Sequence, residues 1–239
     1  MNTDKKIRVC AIDIARVNFA FYSEEIPLSK IIELQQDYNS LPKKYQKKTF
    51  SSFLPDEVAT IFNKLFLSCN RIEGGMGVFD IRDDKTSKEL DIKTRINLHI
   101  LLDSYMWLFD TCDVILIEKQ FCSTGGKNMN INIDALKIEE ATLNWFLLKY
   151  GGFKEVISFP SLFKTHTLAC PPKLNKNERK KWSISKGTEI LNFRGDTKGI
   201  EEINSKKNSK GTKQKKDDIY DSLLMCTTFI YLKLIADNL

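Results

Sequence analysis

Near the end of the chain, Lys215, Lys216, Asp217, Asp218 and Asp221 place two ammonium groups and three carboxylates within seven residues. They open an apolar pattern of Ile219, Leu223, Cys226 and Ile230. Recurrence at i, i+4, i+7 and i+11 predicts a helix from Lys216 to about Ala236. On that helix Asp218 and Asp221, or Asp217 and Asp221, share one face. Carboxylates that close repel each other, so the lysines or a divalent cation must offset them. One reading is the C-terminal part of a metal-ion nuclease site. The other is a solvated acidic first turn, favoured by the helix macrodipole.

Two further carboxylates stand where core residues are expected. Asp13 lies in Ile7–Ile14, otherwise a buried strand, and Glu118 ends the apolar run Val114–Ile117. That run is the signature of a strand buried on both faces. A buried carboxylate without a partner is costly, so Asp13 is expected at an open strand end beside a cation. The alternative is a turn aspartate capping its own backbone. Open α/β sheets bind ligands outside strand ends. Carboxylates gathered from several elements suit two-metal phosphodiester cleavage, in which ions roughly 3.5–4 Å apart activate water and stabilise the leaving oxygen. Oxygen ligands favour Mg²⁺. The six cysteines form no C-x-x-C pair, and neither His99 nor His166 is adjacent to one, so zinc is not expected.

The elements that would carry these groups alternate between strand and helix, which predicts an α/β domain. Val17–Tyr22 is expected to form a tight or bulged hairpin with the first strand. Residues 37–52 read as a loop or poorly ordered insertion, 56–69 as a helix, and Gly74–Gly77 as a turn. Those glycines are not a phosphate loop, since no Gly-Lys-Ser/Thr follows. Helices are expected over 91–109 and 132–150, the latter carrying Glu139 and Glu140 as solvated charges. A strand follows over 155–159, then a basic loop over 168–176 and a basic helix over 177–191. Residues 194–214 are rich in Gly, Ser, Asn and Lys and read as a mobile basic loop.

The 239 residues allow one well-buried core, read as a single domain over 1–239 with an insertion around 24–88. Hydrophobic residues are 42% and charged residues 28%, which excludes a disordered chain. The net charge of +6 is concentrated in lysine clusters at 43–48, 173–181 and 206–216. Such clusters suit a polyanion or a solubilising surface. No apolar run is long enough for a membrane span and no N-terminal signal is visible. Scattered cysteines in apolar segments point to a reducing, intracellular compartment.

Together these features resemble the RuvC-like Holliday junction resolvases, in the branch found in poxviruses, other large DNA viruses and fungal mitochondria. The matching residues are the first-strand segment Ala11–Ala20 around Asp13 and Asn18, the Ile117–Gln120 box, Lys216–Leu223, and the basic Lys180–Trp182 segment. The resemblance implies a ribonuclease H-like α/β fold, a mixed sheet flanked by helices. It also implies a homodimer that nicks a four-way DNA junction in pairs, with Mg²⁺ or Mn²⁺ and two ions per site. For a viral chain it implies work at the site of viral DNA replication in the host cell. By that match Asp13, Glu118, Asp218 and Asp221 would be catalytic metal ligands, with Asp217 competing with Asp218. Lys180 or Lys181 would approach the scissile phosphate, and Asn18 and Gln120 would support the ligands. DNA would meet Lys127, Arg179, Lys180, Lys181, Lys186, Lys215 and Lys216. A nuclease with broader branched-DNA specificity and a non-catalytic nucleic-acid-binding module are the alternatives. One departure is Ala15, where the family usually has glycine.

Overall fold

The computed structural model describes residues 4–86, 90–120, 132–205 and 217–237. A mixed sheet of five strands runs in the order β3-β2-β1-β4-β5. Strands β1 (Lys6–Asp13), β2 (Phe19–Pro27) and β3 (Asn70–Phe79) are successive antiparallel neighbours. β4 (Val114–Lys119) and β5 (Glu155–Pro160) are parallel to β1. This α/β architecture, a mixed sheet flanked by helices, is the one expected.

Side-chain alternation divides the core between the two faces of the sheet. Val9 and Ala11 of β1, Ala20 and Tyr22 of β2, and Leu116 of β4 face one layer. That layer contains α1 (Leu28–Ser40), α2 (Asp56–Ser68), α7 (Lys176–Arg194), α8 (Thr197–Ser205) and α9 (Asp217–Phe229). Cys10, Ile12, Phe19, Phe21, Ile115 and Ile117 face the other. There α3 (Ile92–Ser104), the one-turn α4 (Met106–Phe109) and α5 (Ile133–Tyr150) close the core. α9 is buried almost all round, from Ile219 through Phe229, and continues as a π-helical turn over Ile230–Ile235. Such a helix is a core element rather than a surface one.

Several local expectations are corrected. The β1–β2 connection is not a two-residue turn, because Asp13 pairs with Ala20 and residues 14–18 loop out between them. No non-glycine residue there has positive φ, so Ala15 fits where the resemblance expected glycine. Gly74–Gly77 lie inside β3. Tyr22 pairs with Met76 and Glu24 with Arg71, so residues 72–75 bulge out, with Gly74 at φ +67°. That left-handed backbone is what glycine permits. Residues 28–40 form α1 and 43–45 a 3-10 turn, and β3 is a full partner of β2, so within 24–86 these segments add to the sheet and its flanking layer. Part of the expected loop over 194–214 is helical, as α8, and residues 206–214 lie outside the described residues. A short helix was missed: α6, Leu162–Thr167, directly after β5.

Candidate active site

Alternation and register bring the first two carboxylates together. Val9, Ala11 and Asp13 share a face of β1, and Val114, Leu116 and Glu118 share the same face of β4. Ile12 is in register with Ile117, so Asp13 and Glu118 end neighbouring parallel strands side by side. Both therefore point into the layer that holds α9. Asp13 is only 8% exposed, with the Glu118 carboxyl beside it.

α9 contributes the third carboxylate and α6 a cation. The Lys164 ammonium lies 3.0 Å from Glu118 Oε1 and 3.1 Å from Asp221 Oδ2. Lys164 is itself buried. Burial acts to lower its pKa, but Asp221, Glu118 and Asp13 together raise it, so the ammonium stays charged. Burial and then the charge of Glu118 push the Asp13 carboxyl well above its ordinary range. Burial would lift Glu118 too, but the Lys164 charge and hydrogen bonds from Asp13, Lys164 and Gln120 hold it below its ordinary value. The two carboxyls are thus coupled, with Asp13 the harder of the pair to ionise.

A second lysine neutralises the start of α9. Lys180 of α7 forms an ion pair with the buried Asp217 and also feels Asp218 and Asp221. Burial acts to lower its pKa, and these carboxylates raise it. Contact between α7 and α9 depends on Gly187, where a Cβ would meet Tyr220 Cδ1 at 2.3 Å.

A latch beneath β4 fixes its end. Gln120 Nε2 donates to Glu118 Oε2 at 3.3 Å. The Gln120 backbone N–H donates to Glu139 Oε2 at 2.9 Å, and Ser158 Oγ donates to Glu139 Oε1 at 2.9 Å. Glu139 is therefore not the solvated charge expected. It reaches from α5 to the ends of β4 and β5. Glu140 is exposed and accepts from Asn144.

Of the residues anticipated, Asp13, Glu118 and Asp221 converge, Gln120 supports Glu118, and Asp217 faces Lys180. Asp218 is half-buried on the same turn of α9. Asn18 is half-buried in the 14–18 connection. Lys180, not Lys181, is turned to the aspartates. Lys181 and Arg179 are exposed, and Lys186 pairs with Glu189 at 2.7 Å. Lys127, Lys215 and Lys216 lie outside the described residues. Lys164 was not anticipated. Its only signal in the sequence is a lysine in an apolar stretch just beyond a strand that neighbours β4.

The donor set suits a hard cation: carboxylate oxygens, with Asp221 Oδ1 buried and lacking a hydrogen-bond partner. Among the described residues, however, no three Asp, Glu, His or Cys side chains form a ready metal cage. The Lys164 ammonium explains this. The ammonium sits between Glu118 and Asp221, at 3.0 and 3.1 Å, in the space that an ion shared by these oxygens would take. Lys164 would have to withdraw from between Glu118 and Asp221 for an ion to enter.

No family model matches the chain. Viral relatives align over most of its length. It is 27% identical over 254 residues to the uncharacterized protein 170L of Invertebrate iridescent virus 6, covering 97% of this chain and 92% of that one. It is 26% identical over 192 residues to the uncharacterized protein 97L of Invertebrate iridescent virus 3, covering 78% and 86%. Among solved structures it is similar to a Fowlpox virus resolvase, determined in complex with substrate Holliday junction DNA. That match covers 94% of this chain and 97% of the other, with a TM-score of 0.45 and 16% identity. Among the described residues, no helix is long and apolar enough to cross a membrane.

Proposed function

We propose that this chain is a metal-dependent DNA endonuclease that resolves four-way junctions by paired nicks. The observation that supports this most is the convergence of Asp13, Glu118 and Asp221 on one buried ammonium at the carboxyl ends of β1 and β4. A protein that only bound nucleic acid would gain nothing from acids facing a polyanion. Asp13, Glu118 and Asp221, with Asp218 beside them, would hold Mg²⁺ or Mn²⁺, two ions per site. Bound there, the ions would activate water and stabilise the leaving oxygen.

The chain's own residues would do the rest. Gln120 and the Glu139 latch orient Glu118. A cation held there would favour the ionised form of Asp13. The Lys164 ammonium, released from Glu118 and Asp221, becomes available to a phosphate oxygen. Lys180 keeps Asp217 neutralised at the rim, where Arg179 and Lys181 would meet the DNA backbone. A junction offers two equivalent strands, so a homodimer with two-fold symmetry would present one site to each.

The deciding experiment incubates the protein with a labelled four-way junction and with matched duplex, with and without Mg²⁺. Paired symmetric nicks in the junction alone, dependent on the metal, support the proposal. Cleavage of flaps and nicked duplexes with equal efficiency would mean a broader branched-DNA nuclease. Binding without cleavage would mean a non-catalytic module. A monomeric mass by light scattering, at concentrations where junctions are cut, would remove the dimer.

A further inference from the structure

The stretch between α1 and α2 is held against the helix that carries Lys164. The Phe50 backbone N–H donates to the His166 carbonyl at 2.8 Å, and Thr167 Oγ1 donates to the Lys48 carbonyl at 2.9 Å. Gln46 Nε2 donates to the Leu41 carbonyl at 2.9 Å, which closes the start of the loop. Phe50 and Leu54 pack on the core. The loop is thus a built surface. Against it lies the 170–174 connection, and the two enclose a groove of 370 Å³ lined by Thr49, Phe50, Ser51, Pro172, Lys173 and Arg179, among others. Lys173 stands at its rim with φ +66°. A left-handed backbone is uncommon for a non-glycine residue and is retained where the surroundings enforce it.

The fold therefore merges two lysine clusters that are far apart in sequence. Lys47, Lys48, Lys173, Lys176, Arg179 and Lys181 are all exposed, and among the described residues none of them forms an ion pair. Several cations elsewhere are paired: Lys6 and Arg8 with Glu25, Lys64 with Asp37, Arg71 with Asp196, Arg82 with Asp80. Those that are not, such as Lys5, Arg95, Lys137 and Lys198, are dispersed in sequence rather than gathered in two runs. Nearby acids do little to offset the face. Glu178 is engaged in capping α7 through the Asn175 N–H, and Glu189 is paired with Lys186. Asp56 and Glu57 remain, at the start of α2. Unopposed cations on one surface are relieved by a polyanion, whose bound counterions are released on contact.

We infer that the loop over 42–55 and the 171–181 segment form one phosphate-gripping surface for a duplex arm of the DNA, next to the site. This rests on the nuclease reading for its substrate, and it assigns a role to Lys43, Lys44, Lys47 and Lys48. The arm would run over α6, so that its backbone enters the site beside Lys164. The loop would add affinity and set the path of the arm, and would leave the chemical step untouched.

The test compares the wild-type chain with two charge-matched variants. One is Lys43→Ala/Lys44→Ala/Lys47→Ala/Lys48→Ala. The other, a control away from this face, is Lys5→Ala/Lys30→Ala/Lys198→Ala/Lys233→Ala. A milder pair, Lys47→Ala/Lys48→Ala, guards against misfolding of the fourfold loop variant, and melting curves check all three. Junction affinity is measured in EDTA over a range of salt, and single-turnover cleavage at saturating protein with Mg²⁺. For the loop variant the slope of log K against log salt is expected to shrink by about 2–4, at roughly 0.9 for each phosphate no longer neutralised. Its affinity is expected to fall on the order of 10–100-fold near physiological salt. The Lys47/Lys48 pair should show about half that change of slope, the control none, and the cleavage rate at saturation should hold. Loop variants that keep the wild-type affinity and slope would overturn the inference, as would a control that weakens as much as they do. Wild type that binds junctions but fails to cut them would remove the nuclease reading and leave the surface standing. Wild type that cuts, with loop variants of undiminished affinity, would remove the surface alone.

Discussion

Lys164 Nζ lies 3.1 Å from Asp221 Oδ2, with both side chains largely buried and the same nitrogen 3.0 Å from Glu118 Oε1. The lysine is thus the counter-ion of this acidic cluster, and on the proposed metal-dependent function it would compete with the ion. Lys164→Met should have two opposed effects. The metal-free protein should lose roughly 3–5 kcal/mol of stability, the usual cost of stranding buried charge. Mg²⁺ should bind more tightly than to wild type, because no ammonium has to leave. Cleavage should nevertheless fall on the order of 10²–10³-fold, if the released ammonium assists the phosphate. Urea unfolding, calorimetry and single-turnover kinetics check the three parts. Weaker Mg²⁺ binding in the variant would contradict the competition.

Asp13→Asn separates binding from chemistry. On the proposed function the substitution removes a metal ligand, so cleavage in Mg²⁺ should drop at least on the order of 10³-fold. Junction affinity should hold or improve, because one acid facing the phosphates is neutralised. A variant that cuts at the wild-type rate would sink the assignment of Asp13.

The pH dependence has a definite sign. Asp13 is held well above the ordinary carboxyl range, by burial first and by Glu118 next, against the partial offset of Lys164 and with Asp221 adding to the rise. A carboxyl raised in the fold contributes stability that is complete below its unfolded pKa of about 3.9. That contribution is lost as pH climbs through the raised value. The metal-free protein should therefore weaken over that window, and Asp13→Asn should flatten the trend. Metal affinity should run the opposite way and rise with pH, with release of about one proton shared by the Asp13–Glu118 pair. Calorimetry in buffers of different ionisation enthalpy counts that proton. An affinity independent of pH from about 5 to 8 would argue against a proton held at the site.

At the other end of β2, Arg194 Nη1 donates to Glu24 Oε2 at 2.7 Å and to Tyr22 OH at 3.1 Å, with Glu24 fully buried. Burial keeps the Glu24 carboxyl above its ordinary value even beside the guanidinium. Arg194→Met should cost about 3–5 kcal/mol, because it strands Glu24. Adding Glu24→Gln should recover most of that loss, which urea unfolding of the two single variants and the double would reveal as strong coupling. Additive losses would mean that the pair is not a unit.

Gly187→Ala tests whether contact between α7 and α9 matters to the site. The added methyl would run into the Tyr220 ring, so about 1–3 kcal/mol of stability should be lost as the helices move apart. Separation would also pull Lys180 from Asp217. Junction cleavage should then fall by more than the stability change explains at temperatures where the variant stays folded.

Much of the site was legible from local pattern. Strand alternation needs only the chain itself, so a carboxylate closing an apolar strand already marks an exit from the core, as at Asp13 and Glu118. Helical spacing likewise places Asp218 and Asp221 on one face without reference to any other element. The glycines over 74–77 show where such reading stops. Their composition suggests a turn, yet pairing of β2 with β3 takes Gly77 into the ladder and leaves Gly74 and Gly75 in a bulge. The 37–52 stretch has a loop's composition but is anchored by contacts with residues 166 and 167.

What the sequence determined by itself is the set of acids and the type of element that ends in each one, because both follow from neighbours a few residues apart. Only the tertiary structure decided which cations offset them. Lys164 arrives from α6 and Lys180 from α7, each far in sequence from the acid it meets, while the adjacent Lys215 and Lys216 lie outside the described residues. The register of β1 on β4, the packing of α9 across the sheet and the approach of α6 are long-range pairings. They are set by burial over the whole core, which no local stretch of residues encodes.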